Sequence, residues 1–198
     1  MSVNFSTLTS LLEQEHQLFV SQATEPASST WKTLFKTFAK DLEMYIHPFG
    51  LKMKSSWGQG KWACFPWIRL YSPKMSTDPK NGIFIDYLFG WKDHEVLLTL
   101  LQGVDGKLKD CPDKIDNIKK LVQTKIDCAS FSKSMSRVSP VTNGTLSKSK
   151  CNRAKSYADG MIFHKKYTSS SLPESRRLEA DLNEIIRIYD KVKRLEIK

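Results

Sequence analysis

The sequence predicts one α+β domain, a largely antiparallel central sheet flanked by helices, and three observations predict it. Apolar residues recur at helical spacing near both ends of the chain. Between them the period changes to strand-like runs, LKMK, KWACFPWIRLY, GIFIDYLFGW and EVLLTLLQ, separated by Gly-, Pro- and Asn-containing turns. The last two runs are joined only by Trp91, Lys92, Asp93 and His94, a link that suits antiparallel neighbours.

Taken in order, Leu8, Leu11, Leu12, Leu18 and Phe19 place a first amphipathic helix over about residues 6–22. Ser28, Ser29 and Thr30 offer N-caps for a second, lined by Trp31, Leu34, Phe35, Phe38, Leu42 and Tyr45. His47-Pro48 ends it, because proline disfavours helical geometry in the residue before it. Asn81-Gly82 closes the loop before the third strand as a turn. Asp113 or a neighbour caps a third helix carrying Ile115, Ile118, Leu121, Val122 and Ile126. GMIFHKKY reads as one more short strand. A strong amphipathic helix with Leu178, Leu182, Ile185, Ile186, Tyr189 and Val192 inward closes the domain. We expect no internal repeat and no second hydrophobic core, so the domain spans residues 1–198.

With 198 residues, 40% apolar and 11% aromatic, the chain buries a substantial core and is not disordered over most of its length. No stretch reaches the roughly 18 apolar residues of a membrane span. The start, MSVNFSTLTSLLEQEHQ, has no basic leader followed by an apolar run, so no secretory signal is expected. Cys64, Cys111, Cys128 and Cys151 form no C-x-x-C pair and no zinc-ligand spacing. Disulfides are then not the framework, and a cytoplasmic location is expected.

The formal net charge of +10 is unevenly spread. Between Ala129 and Pro173, eight lysines and arginines stand against the single acid Asp159. Much of this stretch is rich in Ser, Lys and Asn, so residues 133–156 read as a long, mobile basic loop. Such a loop suits a polyanion, whose condensed counterions are released on binding. A charged loop that merely keeps the surface solvated is the equal alternative.

Catalytic signatures are weak. His16, His47, His94 and His164 lie far apart, with no partner at a recognisable catalytic offset. Gly58-Gln59-Gly60-Lys61 fails as a phosphate loop because Trp62, not a hydroxyl residue, follows the lysine. Asp86 is the one acid inside a strand pattern and a candidate metal ligand, although the solvent face of an alternating strand is the preferred reading. No catalytic residue, metal site or cofactor is expected.

The most particular segment runs from Trp57 to Tyr71. Two glycines, Gly58 and Gly60, open it, three tryptophans mark it, and Pro66 removes a ladder donor, which argues for an edge strand or a bulge. Gly58-Gln59-Gly60-Lys61-Trp62, Pro66-Trp67, Asn81-Gly82-Ile83-Phe84, Leu88-Phe89 and Glu95-Val96-Leu97-Leu98 together resemble the N-terminal DNA-recognition domain of the McrB family, modification-dependent restriction proteins. Ser156-Tyr157-Ala158-Asp159-Gly160, Lys166-Tyr167, Leu172-Pro173 and Asp181-Leu182-Asn183 extend the likeness to roughly residues 5–195.

The resemblance implies a reader of methyl- or hydroxymethylcytosine in double-stranded DNA that rotates the target base into a protein pocket. It places Trp67, Leu88 and Tyr157 at the pocket, together with Gln59. Gln59 stands where the family pattern has an aromatic, and it reads a base edge or fills the gap the base leaves. A core aromatic with a satisfied polar tip is the competing reading of Trp67 and Tyr157. Phosphate contacts are expected from Lys61, Arg69, Lys148, Lys150, Arg153, Lys155, Lys165 and Lys166, which position the duplex without reading sequence. Arg176, Arg177, Arg187 and Arg194 alternate with acids and read as a solvated face.

A GTP-driven motor and a nuclease are the implied partners. The chain stops within a charged helix, as a domain cut from something longer would. The rivals are a small metal-dependent nuclease built around Asp86 and a basic module that binds RNA or protein.

Overall fold

The computed structural model describes residues 3–20, 29–58, 63, 65–75, 81–90, 94–104, 111–134 and 155–195, with the backbone alone of 15–20 and 29. Helix α1 (Ser6–Val20) starts where the Asn4 side chain accepts the backbone N–H of Ser6 at 3.2 Å, satisfying a donor the helix leaves open. Its Leu8, Leu11 and Leu12 are fully buried. Helix α2 (Ser29–Ile46) buries Trp31, Phe35, Phe38, Leu42 and Ile46 on one stripe. Pro48 turns its end into one 3-10 turn, His47–Phe49, and Gly50 reverses the chain at φ 66°.

Five strands follow: β1 (Lys52–Ser56), β2 (Trp67–Tyr71), β3 (Ile83–Gly90), β4 (Glu95–Gln102) and β5 (Met161–Thr168). They lie in chain order and every neighbouring pair is antiparallel. Helix α3 (Pro112–Lys125) packs against β5, and α4 (Ser175–Val192) crosses β3 and β4. Pro112 opens α3 and no side chain caps it, so the expected cap by Asp113 is not made. Proline at that position gives up an N–H that has no intrahelical partner anyway.

Pro66 also behaves differently from expectation. The strand begins at Trp67, after Pro66, and β2 is an inner strand between β1 and β3. Lying just ahead of the first ladder pair, Pro66 needs no donor, while its carbonyl accepts the N–H of Phe89 at 3.0 Å. The edge strands are β1 and β5, and Lys52, Lys54 and Ser55 of β1 are exposed.

Alternation along the strands sends Ile83, Ile85, Tyr87 and Phe89 of β3, with Val96, Leu98 and Leu100 of β4, into the main core with the helices. The opposite face is covered too, since every residue of β3 and β4 is buried. There a second, smaller cluster forms from Phe65, Leu88, Leu97, Leu101 and Met161, with Trp67 and Tyr157 packed against it. The expectation of a single core is corrected: near-continuous apolar runs such as GIFIDYLFGW bury two faces, not one. No helix among the described residues is long and apolar enough to cross a membrane.

Helix α4 is tied to the sheet by polar contacts as well as by its apolar stripe. Buried Asp181 accepts hydrogen bonds from the Tyr167 hydroxyl and Lys165 Nζ, both at 2.8 Å, and pairs with Arg177 at 3.2 Å. The Tyr189 hydroxyl accepts the backbone N–H of Ser72 at 3.0 Å, and burial pushes its pKa up to about 12.

A helical segment over 155–160 leads into β5, and Gly160 lets it close onto the sheet. A β-carbon at Gly160 would drive into the backbone carbonyl oxygen of Gln102, which cannot swing aside. Gly160→Ala is therefore expected to lower unfolding stability by about 3 kcal/mol, the range of core overpacking, read as a shift of the urea midpoint.

Candidate nucleic-acid interface

The face of the sheet opposite the main core holds the residues that the sequence singles out. Antiparallel register sets Trp67 opposite Leu88, and alternation puts both on this face. Tyr157, on the segment before β5, meets Phe65 edge to face, with ring centroids 5.5 Å apart and planes at 90°. Trp67, Leu88 and Tyr157 thus share one cluster although Tyr157 lies far along the chain from the other two. Leu88 is completely buried, whereas Trp67 and Tyr157 are half-buried. Leu97 of the same cluster is also completely buried, so the aromatic rings of Trp67 and Tyr157 are the parts of this group that reach solvent.

One residue before Tyr157, a cleft of about 390 Å³ opens between the start of α3 and the 155–159 segment. Its polar groups are Lys119, Lys155, Ser156, Asp116 and Asp159, two cations set against two carboxylates. Lys119 Nζ donates to the Asp159 carbonyl at 2.9 Å, joining α3 to the segment that carries Tyr157. The sequence reading missed Lys119, since a single lysine on an amphipathic helix carries no local signal. Trp67 does not line this cleft, which adjoins the aromatic cluster.

Below Trp67 and Leu88 runs a row of buried polar residues. Arg69 faces Asp86, Asp86 faces Thr99, and Thr99 faces His164 across four strands. Arg69 Nε and Nη2 donate to the two Asp86 carboxylate oxygens at 2.8 and 2.6 Å. Thr99 Oγ1 donates to the Phe163 carbonyl at 2.8 Å. Glu95, also completely buried, pairs with half-exposed Lys166.

The expected phosphate contacts lie in different surroundings. Arg69 is only 6% exposed and its guanidinium is committed to Asp86, so it is not presented to a duplex. Asp86 in turn lies inside, not on a solvent face. Lys165 points to the helix side, bound to Asp181 and 4.9 Å from the Phe131 ring centroid. Lys155 is exposed, and Lys166 reaches solvent beyond its pair with Glu95. Gln59, Lys61, Lys148, Lys150 and Arg153 lie outside the described residues, as does most of the 133–156 loop. Arg176, Arg177, Arg187 and Arg194 are exposed, as expected of a solvated face.

His164 ends the polar row. Burial, with Lys166 nearby, holds its imidazole below the ordinary value, so the folded chain keeps it neutral where the unfolded chain takes up a proton. The stability this contributes is complete above the unfolded value of about 6.5 and is lost as the pH falls toward the folded one. His164→Gln is expected to flatten the decline in urea stability between about pH 7.5 and 5.

A family model described as "MrcB-like, N-terminal domain" matches residues 14–194. No curated protein matches the chain.

Proposed function

From the premise that this chain belongs to the family of MrcB-like N-terminal domains, we propose that it binds double-stranded DNA carrying methyl- or hydroxymethylcytosine and extrudes the modified base. It is a specificity module rather than an enzyme. It works in the cytoplasm, and a GTP-driven motor and a nuclease on another chain or another part of the same protein do the cutting.

The observation that carries the reading is the convergence of Trp67, Leu88 and Tyr157 on the sheet face opposite the main core, with both aromatic rings half-open. Extrusion costs a few kcal/mol in lost stacking and pairing. Stacking on an aromatic side chain returns about 1–3 kcal/mol per base, and a buried methyl adds roughly 0.8 kcal/mol. Phe65 and Tyr157 meet edge to face in the cluster that holds Leu88, and a base reaching Leu88 parts these two rings. Gln59, between Gly58 and Gly60 in the sequence, meets the base edge or the vacated stack.

Phosphates are held by Lys155, Lys166 and the loop cations Lys148, Lys150 and Arg153, with Lys61 contributing from the glycine segment. Lys150→Ala combined with Arg153→Ala is expected to weaken all duplexes alike and to reduce the salt slope by about 2.

The nuclease alternative loses its named ligand, because both Asp86 oxygens are taken by Arg69. The deciding experiment compares binding, at one salt concentration, to duplexes with cytosine, methylcytosine and hydroxymethylcytosine at one position. A preference for either modified duplex supports the reading. Equal affinities for all three sink it, and tighter binding to RNA of the same sequence favours the RNA module.

A further inference from the structure

We infer that the Arg69–Asp86 ion pair is a positioning device for the Trp67 indole, fixing the aromatic wall before any DNA arrives; the inference rests on the reading of Trp67 as a base-stacking residue. A buried ion pair is weak evidence of stabilisation, since apolar residues of similar volume often serve as well. Here the two charged side chains are 7% and 0% exposed, at one end of the buried polar row that runs on through Thr99 to His164. Their placement supplies a reason for the pair.

Arg69 follows Trp67 by two residues on β2 and therefore stands on the same face, one row along. Asp86 holds the same relation to Leu88 on β3, so the ion pair and the Trp67–Leu88 pair are adjacent rungs. Two hydrogen bonds fix the plane of the guanidinium as well as its position. Its central carbon lies 5.2 Å from the Trp67 ring centroid and 4.4 Å from that of Phe84. The cation is thus held between two rings and attracts the indole electrostatically. An indole held in one orientation has already lost the rotamer freedom that stacking would otherwise remove, so the wall is preorganised. Lysine cannot substitute, because it lacks the planar fork.

The test uses the full chain labelled with 5-fluorotryptophan, the Trp67 resonance being assigned by its loss in Trp67→Phe. Arg69→Met with Asp86→Leu removes both charges and leaves neither buried alone. Arg69→Lys keeps the charge without the fork and serves if the double variant does not fold. In the free protein, Trp67 is expected to give one narrow fluorine line, split or broadened in either variant. Preference for modified over unmodified duplex is expected to fall about fivefold, the scale of one cation–π contact. Affinity for unmodified duplex should stay within about twofold, because phosphate contacts carry it. An unchanged Trp67 line together with an unchanged preference would overturn the inference. Should the unsubstituted protein show no preference for modified DNA, the proposed function fails by itself, and the fluorine line alone decides whether the pair orients Trp67.

Discussion

Trp67→Ala is expected to abolish the preference for modified duplex while leaving unmodified-duplex affinity nearly unchanged. The two effects separate because different forces carry them. Binding to an unmodified duplex rests on cations and phosphates, which Trp67 does not touch in the proposed complex. Holding an extruded base rests on stacking, about 1–3 kcal/mol per base, so losing the wall removes roughly a factor of ten or more from the modified duplex alone. Trp67→Phe keeps a smaller ring and is expected to fall between the two. Anisotropy titrations of both duplexes at one salt concentration read the split. A uniform loss for both duplexes would instead mark Trp67 as a fold residue, through its packing on Leu88 and Phe65.

The second large effect is on stability. Asp86→Ala leaves the Arg69 guanidinium buried without its two strongest acceptors. Breaking a buried pair from one side costs about 3–5 kcal/mol. At this chain length that corresponds to a melting temperature lower by roughly 10 °C. Adding Arg69→Met is expected to recover most of the loss, because no uncompensated charge remains inside. Thermal unfolding of the two variants beside the unsubstituted chain measures both. Had Asp86 been a metal ligand, the single substitution would leave the fold intact and abolish a metal-dependent cut in plasmid DNA.

The helices were legible because their information is local. In α4 the stripe from Leu178 to Val192 repeats at one period, and the same residues are buried in the fold. Strand existence was legible too, but the limits of β2 were not. KWACFPWIRLY reads as one apolar run, and only the pairing partners reveal that its ladder starts after Pro66. Arg69 and Asp86 show the same limit more sharply. Each has a sensible reading alone, as a phosphate contact and as a surface or metal-binding acid. Their mutual neutralisation is a property of register across β2 and β3, which no single segment encodes. The setting of Lys165 was hidden for a related reason, since a one-residue step along β5 decides between solvent and Asp181.

The aromatic site was reached by resemblance, not by periodicity. Nothing in the spacing of Trp67, Leu88 and Tyr157 says that they meet, and the fold brings them together through a segment seated on Gln102. The second hydrophobic cluster was nearer to legible. Strands as apolar as GIFIDYLFGW and EVLLTLLQ need cover on both faces, and the long helices α1, α2 and α4 cover only one.

The most direct measurement is a structure of this chain bound to a duplex with a single methylcytosine. Base extrusion requires the methylcytosine ring outside the helix, lying against the Trp67 indole with its methyl group toward Leu88. A methylcytosine still paired and stacked within the duplex, with Trp67 away from the DNA, would contradict it.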